Sequence, residues 1–434
     1  MVNEDNNWKR PFFTIWVGQQ ISLLGSMLAG FALIWWVTET TGSATKLATL
    51  SLLQMLPSIV LGPFVGALID RWHRRTVMLV ADTIVAIFSG WLAYLFWTNA
   101  LQMGHVYLIM VVRALGGTFH WSAMSASTSL MVPKDQLARV AGMNQSVHGI
   151  WNIISPPLGA LLIAALPLHD VMLMDVITAM LAIGPLFFVV IPQPVRRDID
   201  TETAKGFGAI LRDMREGLTY VWGWPGLMVL MILASVVNLM LNPAFSLLPL
   251  FVTEHFGKGA LELGWMNSAW GIGLVVGGLV LSAWGGFKRK IITTQMGLFV
   301  MGIAAIVAGI APPTAFALAL GALFLSGAAN PITNGPLNAI FQSVIPPEMQ
   351  GRVFTLIGSA AGAMSPLGMA IAGPVAERFG VTSWFVAGGV VCIVMSIIGL
   401  LTPAVMQIED NYRGRAEEPC GLDAASLTSR AEIA

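Results

Sequence analysis

The chain has 434 residues, of which 56% are hydrophobic and only 11% charged, against about 45–50% and about 25% in an ordinary soluble domain. Too few charges remain to cover a water-soluble surface. The 23 basic residues are matched by 23 acidic ones, so there is no bulk positive field to attract nucleic acid.

A helix needs about 20 apolar residues to cross about 30 Å of hydrocarbon. On that criterion twelve spans are predicted, near 12–37, 46–69, 76–98, 104–131, 139–166, 169–191, 226–252, 261–286, 290–311, 314–341, 351–376 and 381–407. The first of these runs is too long for a cleavable signal peptide. The longest polar interruption joins spans 6 and 7. In it Phe207, Ile210, Leu211, Met214 and Leu218 recur at helical spacing, which predicts an amphipathic helix lying on the membrane surface. Beyond Glu409 the chain is a polar tail. Cys392 lies in an apolar run and Cys420 in that tail, a placement that suits neither a disulfide framework nor a metal site.

With an even number of spans both termini lie on one side. Counted that way, 19 of the 23 Lys and Arg fall on the terminal side, Lys46, Lys258 and Arg378 on the other, and Arg113 inside span 4. The bias predicts cytoplasmic termini. Trp35, Trp36, Trp91 and Trp97 fall near the opposite ends of their spans and are expected to be interfacial anchors.

The two halves repeat. Val37-Thr38-Glu39 with Gly42 returns as Val252-Thr253-Glu254 with Gly257, an offset of 215 residues. Val132-Pro133 followed by Arg139-Val140 returns as Ile345-Pro346 followed by Arg352-Val353, an offset of 213. Copies of six spans keep the same orientation, which is the parallel-repeat arrangement of a transporter that rocks about a midplane site. The expected fold is therefore an all-α integral membrane protein of twelve helices in two six-helix pseudo-symmetric bundles. Its expected parts are the bundles 1–191 and 226–408, a cytoplasmic linker 192–225 and a cytoplasmic tail 409–434.

Between spans 2 and 3 lies Gly66-Ala67-Leu68-Ile69-Asp70-Arg71-Trp72-His73-Arg74-Arg75. Gly66 permits close helix approach, and Asp70 with Arg71, Arg74 and Arg75 can form a charge cluster that breaks when the cytoplasmic side opens. The alternative is that the arginines only set topology. The equivalent stretch Gly278–Lys290 has Ser282 in place of the acid. The first stretch resembles the G-x-x-x-D-R-x-G-R-R signature of the major facilitator superfamily, with His73 where a Gly is usual. Arg113-Ala114-Leu115-Gly116 fits that superfamily's R-x-x-x-G element in span 4, and Ser155-Pro156-Pro157-Leu158-Gly159-Ala160 is similar to the antiporter motif G-P-x-x-G-G in span 5. Trp16-x-Gly18-Gln19, Thr38-Glu39-x-Thr41-Gly42-Ser43-Ala44, Asp82 and Gly351-Arg352-Val353-Phe354 resemble the macrolide-efflux branch of its drug exporters.

Few ionisable groups lie within the spans: Asp82, Arg113 and Asp175, with His120 and His148. A charge at membrane depth is costly and by default functional. Arg113 lies about 13 Å from its nearer membrane face, and Asp82 and Asp175 about 9 Å from theirs, at 1.5 Å per residue. Either acid can approach Arg113, and a pair that forms and breaks would couple protons to transport; a fixed structural pair is the alternative. Asn330, Asn334 and Asn338 recur every fourth residue in span 10, as do Asn238 and Asn242 in span 7, while Gln19 and Gln20 lie in span 1. Such amide faces avoid lipid. With His120 and Trp121 they are the candidate substrate cavity, since the resemblance implies that spans 1, 4, 7 and 10 line it.

The expectation is a proton-driven exporter of amphipathic drugs such as macrolides, in a bacterial inner membrane. One alternative is an exporter of an endogenous metabolite, siderophore or lipid. Another is a non-transporting membrane sensor or scaffold. No phosphate-binding loop, metal-ligand set or nucleophile–base spacing is read, so no enzyme, cofactor or metal is expected. The expected partners are the bilayer and a small-molecule substrate. The chain is expected to be a monomer, alone or with a separate ATP-binding accessory protein.

Overall fold

The computed structural model describes residues 8–69, 72–133, 136–189, 191, 215 and 218–409. Asp70 and Arg71, nearly all of the surface helix expected in the linker and the tail beyond Glu409 lie outside the described residues. Among the described residues there is no strand. Among these residues twelve long helices follow one another: α1 (Lys9–Thr41), α2 (Ala44–Ile69), α3 (Arg74–Trp97), α4 (Met103–Met131), α5 (Leu137–Ala165), α6 (Leu168–Phe188), α7 (Pro225–Ser246), α8 (Ala260–Trp284), α9 (Lys290–Ile310), α10 (Phe316–Val344), α11 (Pro347–Phe379) and α12 (Val381–Leu401). Eleven of them are long and apolar enough to cross a membrane. The other, α4, is 29 residues long, but Arg113, His105, His120 and a Ser-rich end dilute its apolar character.

Two spans end earlier than their apolar runs. Past α7 the chain continues through Leu248–Leu250 into a π-helical turn, Phe251–His255, because Pro249 has no N–H for the regular helical register. α12 stops at Leu401 because Thr402 precedes Pro403 and is extended, with ψ 111°, as proline demands of its neighbour. In the loop before α3, His73 is likewise extended at φ −68°, so the turn needs no glycine there.

The internal repeat is visible in backbone detail. Gly42 and Gly257 both take positive φ, 56° and 62°, the left-handed conformation glycine adopts without steric cost. Each donates its N–H to the threonine four residues back, Thr38 at 2.9 Å and Thr253 at 3.1 Å. At the other repeated site, Val132 and Ile345 close their helices onto Thr128 and Phe341, both at 3.0 Å.

Lipid offers helices no hydrophobic drive to associate, so packing relies on small residues that let backbones touch. Gly273 and Gly277 of α8 face the carbonyls of Phe324 and Ala328 in α10, and Gly327 of α10 faces Trp270 in return. Gly302 of α9 meets Gly389 of α12, and Gly368 of α11 meets Leu239 of α7. The two bundles meet chiefly along α2 with α11 and α5 with α8.

The ends of the molecule differ. At the end away from the chain termini, one apolar core includes Trp35, Val37, Leu47 and Leu50 of the first bundle with Leu248, Phe251, Ala372 and Trp384 of the second. Trp35, expected at the lipid interface, is buried in this core. At the terminal end each bundle keeps its own core, Val65, Ile69 and Met78 in one, Leu227, Phe341 and Val353 in the other. The bundles are thus joined at one end and parted at the other.

Gly277→Ala drives a Cβ into the Ala328 carbonyl, whereas the same change at neighbouring Gly278 meets open space. The first should cost about 1–3 kcal/mol and lower the melting temperature of the detergent-solubilised protein, and the second should not.

Candidate functional site

The parted end opens into a cavity of about 1080 Å³, at the upper end of the range for small-molecule sites. Its walls come from α1, α2, α4 and α5 of the first bundle, with Asp82 and Val85 of α3 and Ala179 of α6; α7 with its continuation and α8 complete them from the second. Trp16, Ser129 and Leu137 stand near its mouth, and Ile34, Leu47, Leu248 and Leu263 lie toward the sealed end. Most of the wall is apolar, aromatic or neutral polar.

Of the residues expected to line a cavity, Gln19, Gln20, His120 and Trp121 do so. Asn238, Asn242, Asn330, Asn334 and Asn338 are not part of its wall. Asn242 instead donates to Ser365 Oγ of α11 at 2.7 Å and to Asn238 Oδ1 at 2.9 Å, fastening α7 to α11. Asn334 donates to the Asn330 carbonyl at 3.1 Å, and Asn338 is exposed. In their place the wall includes Asn144, His148 and Asn152 of α5 and Asn267 and Trp270 of α8, of which the sequence reading named His148 alone, as an ionisable group within a span. The α5 residues are spaced four apart, so the signal used on α10 was present on α5 too.

The buried charges sort into two groups. Arg113 of α4 pairs with Asp175 of α6 at 2.5 Å. Asp175 also accepts from Ser26 Oγ of α1 at 2.9 Å and Ser89 Oγ of α3 at 2.7 Å. Arg113 further donates to Ser89 Oγ at 3.0 Å and to the Ser26 carbonyl at 2.9 Å. Four helices converge on this pair, and Asp175 is only 1% exposed. Asp82 of α3 does not join it. Its carboxylate accepts from Gln19 Nε2 of α1 at 3.0 Å and lies 3.6 Å from His120 Nε2 of α4.

Arg74 and Arg75 serve the first bundle. Arg74, 7% exposed, donates to the Ala126 carbonyl of α4 at 2.6 Å, and Arg75 donates to the Phe187 carbonyl of α6 at 2.6 Å. Phe187 belongs to the last turn of its helix, where carbonyls have no helical partner and a cation is favoured. Gly66 lies on α2.

Where the bundles meet, the prolines of α5 have a specific consequence. Pro157 cannot donate to the Ile153 carbonyl, and Ser268 Oγ of α8 donates to it instead, at 2.6 Å. At the sealed end Glu377 of α11 accepts from Ser43 Oγ at 2.6 Å and from the Thr45 N–H at 3.1 Å. A carboxylate from the second bundle thus caps the first turn of α2.

Comparison with known proteins adds lineage to this geometry. A family model described as Major Facilitator Superfamily matches residues 15–369 and 230–414. Macrolide efflux protein A of Streptococcus pyogenes is 33% identical over 91% of this chain and 96% of that protein. Multidrug efflux pump Tap of Mycolicibacterium fortuitum is 26% identical over 93% and 98%. Among solved structures, a bacterial homologue of the lysosomal transporter Spinster in an inward-facing conformation superposes with a TM-score of 0.65, covering 94% of this chain and 97% of that one at 13% identity. A bacterial homologue of the iron transporter ferroportin, also inward-facing, gives 0.66 over 90% and 98% at 16% identity.

Removing one partner of a buried ion pair strands the other charge, at a cost of about 3–5 kcal/mol. Asp175→Asn should therefore lower the melting temperature in detergent markedly. Asp82→Asn keeps an acceptor for Gln19, strands no arginine and should change it far less.

Proposed function

The chain belongs to the Major Facilitator Superfamily, and from that premise we propose that it exports bulky amphipathic small molecules, macrolide-like drugs among them, by proton antiport. The cavity carries this reading. It is large, mostly apolar and aromatic, open at the end that bears the termini and sealed at the other. Such a wall holds a bulky substrate by shape and apolar contact rather than by a dense set of hydrogen bonds. The positive-inside bias of 19 among 23 basic residues supports placing the open end in the cytoplasm of a bacterial inner membrane. A substrate loaded there leaves by the opposite face once the bundles rock. The relatives called macrolide efflux protein and multidrug efflux pump support the substrate class.

In this reading the sealed end has to open. The joined apolar core separates there, and Glu377 releases Ser43 and Thr45. At the cytoplasmic end the two separate cores come together. Energy comes from the proton gradient, and Asp82 within the cavity wall is the group best placed to meet protons from the open side.

Everted membrane vesicles with an acid interior test the proposal. They should accumulate erythromycin, and dissipating the pH gradient should abolish the uptake. Arg113→Ala and Asp82→Asn should reduce accumulation about tenfold or more with the protein still inserted, and Asp70→Asn should reduce it as well. Vesicles that accumulate no macrolide would overturn the drug reading in favour of an endogenous substrate. Glu377→Ala should shift the rest state toward opening at the sealed end by about tenfold, the worth of one net hydrogen bond. Faster labelling of a cysteine placed at Leu47 would report that shift.

A further inference from the structure

We infer that Asp82 and His120 together hold the exchanged proton, and that the Arg113–Asp175 pair stays charged throughout the cycle. The inference rests on the proposed antiport and names the residues within it.

The two groups of charges differ in what they lack. Asp175 already accepts from Arg113, Ser26 and Ser89, and its charge is balanced by the guanidinium. A proton added there would strand Arg113 beside a neutral acid in a buried site, the costly outcome for any buried pair. Among the described residues Asp82 has a single hydrogen bond, from the Gln19 amide. Its other oxygen faces His120 Nε2 across 3.6 Å, beyond hydrogen-bond length. His120 Nε2 is itself buried and makes no hydrogen bond to any described residue. An acceptor and a ring nitrogen thus confront each other with the bond between them unmade.

One proton completes it. Taken from hydronium in the cavity, which returns to water, it leaves an imidazolium N–H donating to a carboxylate, a charge-assisted bond of about 2.7–2.9 Å. One O–H bond of the donor breaks and one N–H bond forms, with no change of oxidation state. Closing the gap draws α4 toward α3, with Gln19 of α1 following the carboxylate, so occupancy by the proton is converted into a small displacement of three cavity-lining helices. Both residues belong to the cavity wall and face the same water as the substrate. The wall's other titratable groups are Arg113, neutralised by Asp175, and His148, whose ring lies 2.8 Å from the Asn152 amide of its own helix.

The test uses the full chain in proteoliposomes containing pyranine, with an outward erythromycin gradient and no pH gradient at the start. Wild type should move protons against the drug, read as a change in internal pH per labelled erythromycin lost. In His120→Gln the proton:drug ratio should fall by about tenfold. Asp82→Glu, which keeps a titratable acid facing the imidazole, should retain more of the ratio than Asp82→Asn. Ser89→Ala, at the other ion pair, should leave the ratio unchanged even where it slows the rate. His120→Gln with the wild-type ratio would overturn the assignment. A variant that moves no drug is purified and mixed with erythromycin in weakly buffered detergent. Wild type should release protons on binding and His120→Gln should not; equal release also overturns the inference. Wild-type drug flux without proton movement would instead remove the antiport reading itself.

Discussion

An arginine placed in the interior of a membrane-spanning bundle has to be neutralised where it stands, because neither lipid nor bulk water can do it. Arg113 is met by Asp175 from α6, Ser89 from α3 and the Ser26 carbonyl from α1. Satisfying one side chain therefore fixes the relative positions of four helices. It also sets the cavity's electrostatics. With Arg113 compensated from behind, the carboxylate left without a full complement of donors in the wall is that of Asp82.

The second constraint is the absence of hydrophobic drive between helices in lipid. Contacts within each bundle are made through backbones brought close at glycines, as between α8 and α10. Contacts between bundles use the same close approach, at Gly264 of α8 against Pro157 of α5 and Gly373 of α11 against Thr45 of α2, and add directional hydrogen bonds. Ser268 donates to the carbonyl that Pro157 cannot satisfy, and Glu377 caps α2 with hydrogen bonds to Ser43 and Thr45. Close backbone packing resists sliding, whereas a few directional hydrogen bonds can be exchanged for water.

The span count, the repeat and the charges at membrane depth were legible in the chain because each depends on local composition. Even the left-handed pair Gly42 and Gly257 follows from two short matching segments. The amide stripes were legible as polar faces, but a stripe says only that a face avoids lipid. Asn242 met that requirement by bonding Ser365 rather than by lining the cavity. Asn144, His148 and Asn152 carry the same period on α5 and do line it.

What the sequence by itself determined is thus an all-helical, twice-repeated membrane chain with three charged residues at depth. Hydrophobicity, glycine, proline and charge are one-dimensional quantities, and the bilayer imposes a one-dimensional depth on them. Only the tertiary structure decided which acid meets Arg113: counted from one face Asp175 stands about 4 Å and Asp82 about 8 Å from it in depth, so depth favours Asp175 but long side chains can span either distance. The choice rests on the rotation of each helix about its axis and on which neighbours it touches. Those follow from close packing among all the helices at once, the same packing that leaves Asp82 and His120 facing each other across a gap of 3.6 Å.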